Sequence, residues 1–321
     1  MPKSERPQPR HVLVVGESLV DVLADPADAD LEAPGGSPLN VAVTLGRMGT
    51  PVSILTALGN DDRGEALRGH LAESGVEVRR GPVLPRTSSA VARVAPNGSA
   101  TYEFDIAWPA LEPLELRGAG IVHTGSIAFF CAPGAASVMR LLRDAHESGA
   151  LTTLDPNVRP ALVGDPGAAL RHFEASLPWV DVLKLSVEDA AWLYPGLGER
   201  DVVARLLETG PSLVALTDGS SGASLHTRSA EVDVPAAPTT VVDTIGAGDA
   251  WMGALIHGLF NDPAPKQLVQ RLDRPSLLGL GVLASRVAAA TVATRGADPP
   301  WAAALDLAPS DPAPLTPTVI A

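Results

Sequence analysis

Cys131 is the single cysteine in 321 residues. That excludes an internal disulfide and suits a reducing compartment. A lone cysteine is as readily a small buried hydrophobe as a reactive thiol. Lysine is nearly missing: Lys3, Lys184 and Lys266 are the whole set, and the other basic residues are arginines. With a formal net charge of −13, the chain has no basic surplus for nonspecific binding to nucleic acid or an anionic membrane. An anionic ligand would have to be drawn in by local features. No uninterrupted apolar run of about 18 residues occurs, so no transmembrane helix is predicted. Residues 1–10 are polar and contain proline, without the apolar stretch of a signal peptide. The expected location is the cytoplasm. Several chemical motifs are missing as well. There is no Gly-x-x-x-x-Gly-Lys-Ser/Thr phosphate loop and no Gly-x-Gly-x-x-Gly after the first strand. Nor is there a His-Glu-x-x-His, a paired Cys-x-x-Cys or a Gly-x-Ser-x-Gly. The seven histidines are scattered, and none is assigned to catalysis.

Hydrophobic residues make up 45% of the chain, enough for one large α/β domain. His11–Val15 is an apolar run ending at Gly16, as in a buried parallel strand. Further strands are predicted at 52–55, 121–123, 151–154, 182–184 and 213–216. Helices are predicted at about 39–48, 65–74, 134–147 and 202–208. This alternation implies an α/β fold, a mainly parallel central sheet with helices on both faces. One segment breaks the pattern. The runs 90–94 and 100–106 flank Pro96-Asn97-Gly98-Ser99, a hairpin signal. Along the second run Tyr102, Phe104, Ile106 and Trp108 alternate with Glu103, Asp105 and Ala107, so one face is apolar.

The most informative stretch is Val241-Val242-Asp243-Thr244-Ile245-Gly246-Ala247-Gly248-Asp249-Ala250. It joins an apolar run to a glycine-rich turn and then to an apolar helix with a carboxylate at its first position. Gly246 and Gly248 let the backbone bend so that several N–H groups point one way. The helix N-terminus adds about half a positive charge there. A phosphate would be stabilised without any lysine. Asp249 reads either as a helix cap or as a base for an attacking hydroxyl, since its charge would otherwise repel the anion.

Asp243-Thr244-Ile245-Gly246-Ala247-Gly248-Asp249 resembles the C-terminal signature of the ribokinase-like (PfkB) carbohydrate kinases. Upstream, Gly35-Gly36-Ser37-Pro38-Leu39-Asn40-Val41-Ala42 resembles the segment that lines the sugar site in that family. Gly59-Asn60-Asp61-Asp62-Arg63-Gly64 is similar to its acidic turn. The matches run in family order across roughly residues 11 to 300.

The resemblance implies a ribokinase-like kinase domain over 1–305, with a small β lid from about 20–34 and 86–110 that closes over the sugar. It also implies a homodimer formed through that lid. The proline-rich 306–321 is expected to be disordered. Asp21, otherwise a loop acid, matches the acid that grips sugar hydroxyls. Gly35 and Gly36 would admit the ligand close to the backbone, and Asn40 would bind it or else cap the following helix. Tyr102 and Phe104 would contribute from the lid. In Asp155-Pro156-Asn157-Val158-Arg159-Pro160, Asn157 and Arg159 would reach the substrate or the phosphates, unless the segment is only a turn.

For ATP, the resemblance points to Lys184, which could instead be a surface lysine, and to Ser186, Thr217, Gly219 and Gly222. Ser186 and Asp189 stand where relatives carry Asn and Glu. Asp189 would order Mg2+ through water, with Glu188 as the alternative. Asp243 and the carbonyl of Ile245 match a monovalent-cation position, making K+ a further expectation, although Asp243 could simply fix its loop. The resulting reading is an ATP-dependent sugar kinase. Asp249 would be its base, and the amides of Gly246, Ala247 and Gly248 its charge-stabilising cradle. Fructose is the expected substrate, with 2-keto-3-deoxygluconate, ribose or a nucleoside as alternatives. A catalytically idle sugar-binding regulator on the same fold is the alternative from another class.

Overall fold

The computed structural model describes residues 10–24, 30–79, 81–94 and 100–305. The expected signal-free terminus, the hairpin turn at 96–99 and the tail at 306–321 therefore lie outside the described residues.

A nine-stranded sheet forms the centre. From one edge its order is Glu231–Val234, Gly222–His226, Leu213–Asp218, Val182–Ser186, Leu151–Asp155, Ala119–Gly125, His11–Val15, Val52–Leu55 and Val76–Arg79. Every pairing from Leu213–Asp218 to Val76–Arg79 is parallel. The two strands at the other edge are antiparallel. Both faces of the sheet are covered. Val12 and Val14 pack into one apolar cluster with Leu39, Val41, Leu255 and Ala284. Leu13 and Val15 pack into the other with Phe129, Val138, Leu142 and Phe173. A strand buried on both sides in this way reads as an unbroken apolar run.

Several helices begin two or three residues earlier than sequence periodicity suggests, and in one of them a side-chain cap sets the start. Asp61 accepts the Gly64 N–H at 2.9 Å and starts the Asp62–Glu73 helix. The same carboxylate accepts the Thr87 N–H at 2.8 Å, so the acidic turn clamps a distant loop. The helix expected at about 39–48 runs Ser37–Arg47, with Pro38 in its first turn. The long Arg274–Thr291 helix has no clear apolar period in the sequence. Its many Gly, Ala and Ser residues dilute the apolar contrast, and Asp273 caps it through the Ser276 N–H at 3.0 Å.

A separate four-stranded sheet combines Leu31–Gly35, Leu19–Ala24, Ser89–Val94 and Ala100–Asp105. Val20 and Val22 are buried, and Val91 packs with them against the core. Asp21, Ala33, Ala90 and Phe104 share one cross-strand row and so project from the opposite face. Through the end of the last strand and just beyond it, Phe104, Ile106 and Trp108 are more buried than Glu103, Asp105 and Ala107, as the alternation requires. Tyr102 pairs with Ala92 two residues along; its side chain lies outside the described residues.

The first strand lies inside the sheet, with two strands beyond it on one side and six on the other. Chain order runs outward from it in both directions, so the His11–Val15 and Ala119–Gly125 pair marks a topological switch point. Ligands in open α/β sheets bind beyond the carboxyl ends of strands at such a place. Gly16–Ser18, Ser126, Asp155–Asn157 and Ser186 lie at or just after strand ends here.

Candidate active site

Gly246 takes a left-handed conformation (φ 77°) as the cap of the Ala247–Phe260 helix. An added Cβ would stand 2.5 Å from that of Ala297, so no other residue fits without movement. Among first-turn amides, which have no intrahelical acceptor, that of Ala247 turns to the Thr244 carbonyl at 3.3 Å. Those of Gly248 and Asp249 have no acceptor among the described residues. Asp243 holds the loop closed. Its two oxygens accept N–H bonds from Ile245 at 3.0 Å and Gly296 at 2.9 Å. These bonds, the Ile245 one foremost, keep the carboxyl below the usual range.

Asp249 is the third residue of the helix, not the first and not its cap. The helix starts at Ala247 because Gly246 already supplies the bend. Asp249 is buried, and its oxygens face side chains from other elements. Ser37 Oγ donates to Oδ1 at 2.6 Å and Asn40 Nδ2 donates to Oδ2 at 2.8 Å. Asn157 Nδ2 lies 3.4 Å from Oδ1. Asn157 sits at a positive φ of 36°, and its Oδ1 accepts Arg159 Nη1 at 2.6 Å. Backbone strain of this sort is often stored at functional sites.

Lys184 is no surface residue. It is 4% exposed and pairs with the fully buried Asp155 at 2.8 Å. Its Nζ stands 3.0 Å from where a Cβ on Gly248 would lie. A buried cation thus backs the amide cradle that sequence alone made lysine-free. Burial draws the Lys184 ammonium down, but Asp155, Asp189 and Asp249 outweigh it and the net shift is upward. Burial likewise raises Asp155 to about 6, Lys184 opposing it, and leaves its Oδ1 unpartnered.

Ser186 and Asp189 form a reciprocal capping box on the Val187–Leu193 helix. Asp189 Oδ1 also accepts the Val158 N–H at 2.7 Å, while Oδ2 takes the Ser186 N–H and hydroxyl. Both oxygens are therefore turned into the protein. Thr217 is the penultimate residue of the Leu213–Asp218 strand, and Gly219 and Gly222 bound the turn that follows.

On the sugar side, Asp21 is half-buried. Gly35 makes room for it: a Cβ there would fall 2.1 Å from Asp21 Oδ2. Burial lifts Asp21 to about 6, with Arg159 pulling it down and Asp249 pushing it up. The charges of Asp21, Arg159 and Asp249 thus act on one another, although their sequence positions are far apart. Glu17, absent from the sequence-based site, also feels the charge of Arg159. It is 2% exposed, its Oε2 accepts the Ala128 N–H at 2.8 Å, and burial raises it to about 7. Its one sequence signal is a lone charge between two apolar strands. Ser37 left no such signal.

An amide cradle backed by a cation, with an acid alongside, suits phosphoryl transfer to an alcohol, and comparison with known proteins fixes the class as carbohydrate kinase. The chain belongs to the pfkB family of carbohydrate kinases, whose model matches residues 10–304. It is 33% identical over 282 residues to a fructokinase of Rhizobium leguminosarum bv. trifolii, covering 83% of this chain and 85% of the relative. A fructokinase of Klebsiella pneumoniae is 32% identical over 269 residues, covering 80% and 87%. Among solved structures, the fructokinase of Xylella fastidiosa with bound ATP superposes with a TM-score of 0.82 at 28% identity, covering 92% and 97%. A sugar kinase from Pyrococcus horikoshii in complex with ATP gives 0.71 at 29% identity, covering 89% and 93%. Among the described residues no helix is long and apolar enough to cross a membrane.

Proposed function

We propose that this kinase transfers the γ-phosphoryl group of ATP to the primary hydroxyl of fructose, with Asp249 as general base. The observation that carries the reading is the setting of Asp249. It is buried in the first turn of a helix, beside cradle amides without an acceptor among the described residues, and held by two donors from the Ser37–Arg47 helix. The acceptor hydroxyl gives its proton to Asp249 as its oxygen bonds to phosphorus, and the bond to the ADP oxygen breaks. The amides of Gly248 and Gly246, and that of Ala247 once freed from Thr244, meet the charge that gathers on the transferred group. Lys184 adds a fixed positive charge behind them. Asp21, Arg159 and Asn157 take the sugar hydroxyls, with Phe104 and Tyr102 contributing from the second sheet. Ser186, Thr217, Gly219 and Gly222 belong to the nucleotide side. Fructose is favoured because three of the four proteins compared above are named fructokinases.

The donor set fits a hydrated metal better than a directly bound one. Asp189 already accepts three protein hydrogen bonds, which leaves contact through water, and the unpartnered Asp155 Oδ1 offers a second buried acceptor. Mg2+ would supply charge neutralisation of the triphosphate there. K+ would sit at Asp243 and the Ile245 carbonyl, where the loop is already pinned to the Gly296 segment.

ADP release measured over a panel of sugars tests this reading. Fructose is expected to give a kcat/KM roughly tenfold or more above ribose, 2-keto-3-deoxygluconate and nucleosides, a margin within reach of hydroxyl-specific contacts. A preference for any of those sugars would displace fructose, and no ADP release on any sugar would leave only the idle regulator. A cytoplasmic location, where ATP is at hand, belongs to the same reading.

The second sheet is proposed to act as a lid that excludes water and as the contact between two copies. Leu23 and Leu31 face each other across its strands and are 44% and 58% exposed. Exposed apolar pairs on a sheet face favour association. Light scattering should give twice the chain mass, and Leu23→Asp with Leu31→Asp should halve it. A native monomer would defeat the dimer.

A further inference from the structure

Ser37 opens the Ser37–Arg47 helix without capping it; no side chain caps that end. Serines near a helix start usually turn back to their own backbone. This one reaches across 212 sequence positions to Asp249 Oδ1 at 2.6 Å, inside a site where it is 6% exposed. Asn40, one turn further along the same helix, takes the other oxygen at 2.8 Å. The terminal torsion of an aspartate is broad and weakly directed. Donors on both oxygens, delivered by one rigid element, fix the plane of the carboxylate. The two helices are locked together just beyond. Gly253, one turn after Asp249, lies so close to Thr44 that an added Cβ would stand 2.7 Å from that side chain.

We infer that Ser37 is a positioning residue for phosphoryl transfer, setting the carboxylate plane of Asp249 so that the acceptor hydroxyl meets a base already aimed. The inference rests on Asp249 being the base. Asn40 alone leaves the carboxylate free to swing about its Oδ2 anchor, and the 3.4 Å contact to Asn157 is too long to replace the serine. Misorientation of a reacting group lowers turnover without weakening ligand binding.

The test is steady-state kinetics of Ser37→Ala with fructose and ATP varied separately, beside Ser37→Thr and Asp249→Asn. Ser37→Ala is expected to lose about tenfold in kcat while both KM values stay within about twofold. Ser37→Thr keeps the hydroxyl and should recover most of that loss. An unchanged kcat in Ser37→Ala overturns the inference. So does a KM for sugar that rises as far as kcat falls, because Ser37 would then be a substrate contact. If Asp249→Asn collapses while Ser37→Ala does not, the base reading stands and only the role of Ser37 fails. If Asp249→Asn keeps its turnover, both fall together.

Discussion

Asp249→Asn is expected to bind sugar nearly as well as the native enzyme and to lose roughly a hundredfold or more in turnover. The amide cannot take the hydroxyl proton, and it keeps the size and shape of the carboxylate. It also introduces a mismatch. Ser37 and Asn40 both donate to the native side chain, whereas an asparagine offers one acceptor and one donor. One neighbour must lose its acceptor or turn, at about 1–3 kcal/mol of stability. Thermal melting therefore belongs beside the kinetics, so that a lower folded fraction is not read as slower chemistry. Should turnover persist in folded protein, Asp249 is only an acceptor for two buried donors. The base would then be sought elsewhere. Asp155 is tied to Lys184 and Glu17 to the Ala128 amide, which leaves Asp21, raised to about 6 and facing the same pocket.

The cradle was legible in the sequence because its geometry is local. Gly246 supplies the bend and the helix start aligns the amides, whereas Gly248, also read as a bend, lies inside the helix. The central sheet was legible for a similar reason, since a strand such as His11–Val15 carries its burial on both faces in its own residues. The second sheet was half legible. Its hairpin announced itself by alternation, but the pairing of Val20 with Ser89 and of Asp21 with Ala90 is parallel and long-range. What stayed hidden were contacts between distant positions. Nothing near Lys184 says that it is buried, because its partner Asp155 comes from the neighbouring strand, 29 positions away. Nothing near Ser37 points to residue 249. The start of the Asp62–Glu73 helix slipped because a cap, not an apolar period, decided it.

Lys184→Met should produce the largest loss of stability. The methionine fills a similar volume, yet it leaves Asp155 fully buried without its cation. Removing one partner of a buried pair costs about 3–5 kcal/mol, although the pair itself is a weak source of stability. The pH dependence follows from the carboxyl. Asp155 is already raised to about 6 with lysine present, burial being the chief cause and Lys184 the main opposing influence. Without that opposition it rises further. A carboxyl raised in the folded state supports the fold below its unfolded value and withdraws that support as pH climbs through the folded one. The variant should therefore fall furthest below the native protein near pH 8 and recover part of the gap near pH 5, where Asp155 can stay protonated. Urea midpoints at the two pH values measure this. Asp155→Asn combined with Lys184→Met should be more stable than Lys184→Met alone at the higher pH, since the orphaned charge is gone. Neither protein should hold ATP well, because the same ammonium stands behind Gly248 in the cradle. A single variant as stable as the native chain at both pH values would mean that the Asp155–Lys184 pair does not form, and the cation would then be missing from the phosphate site too.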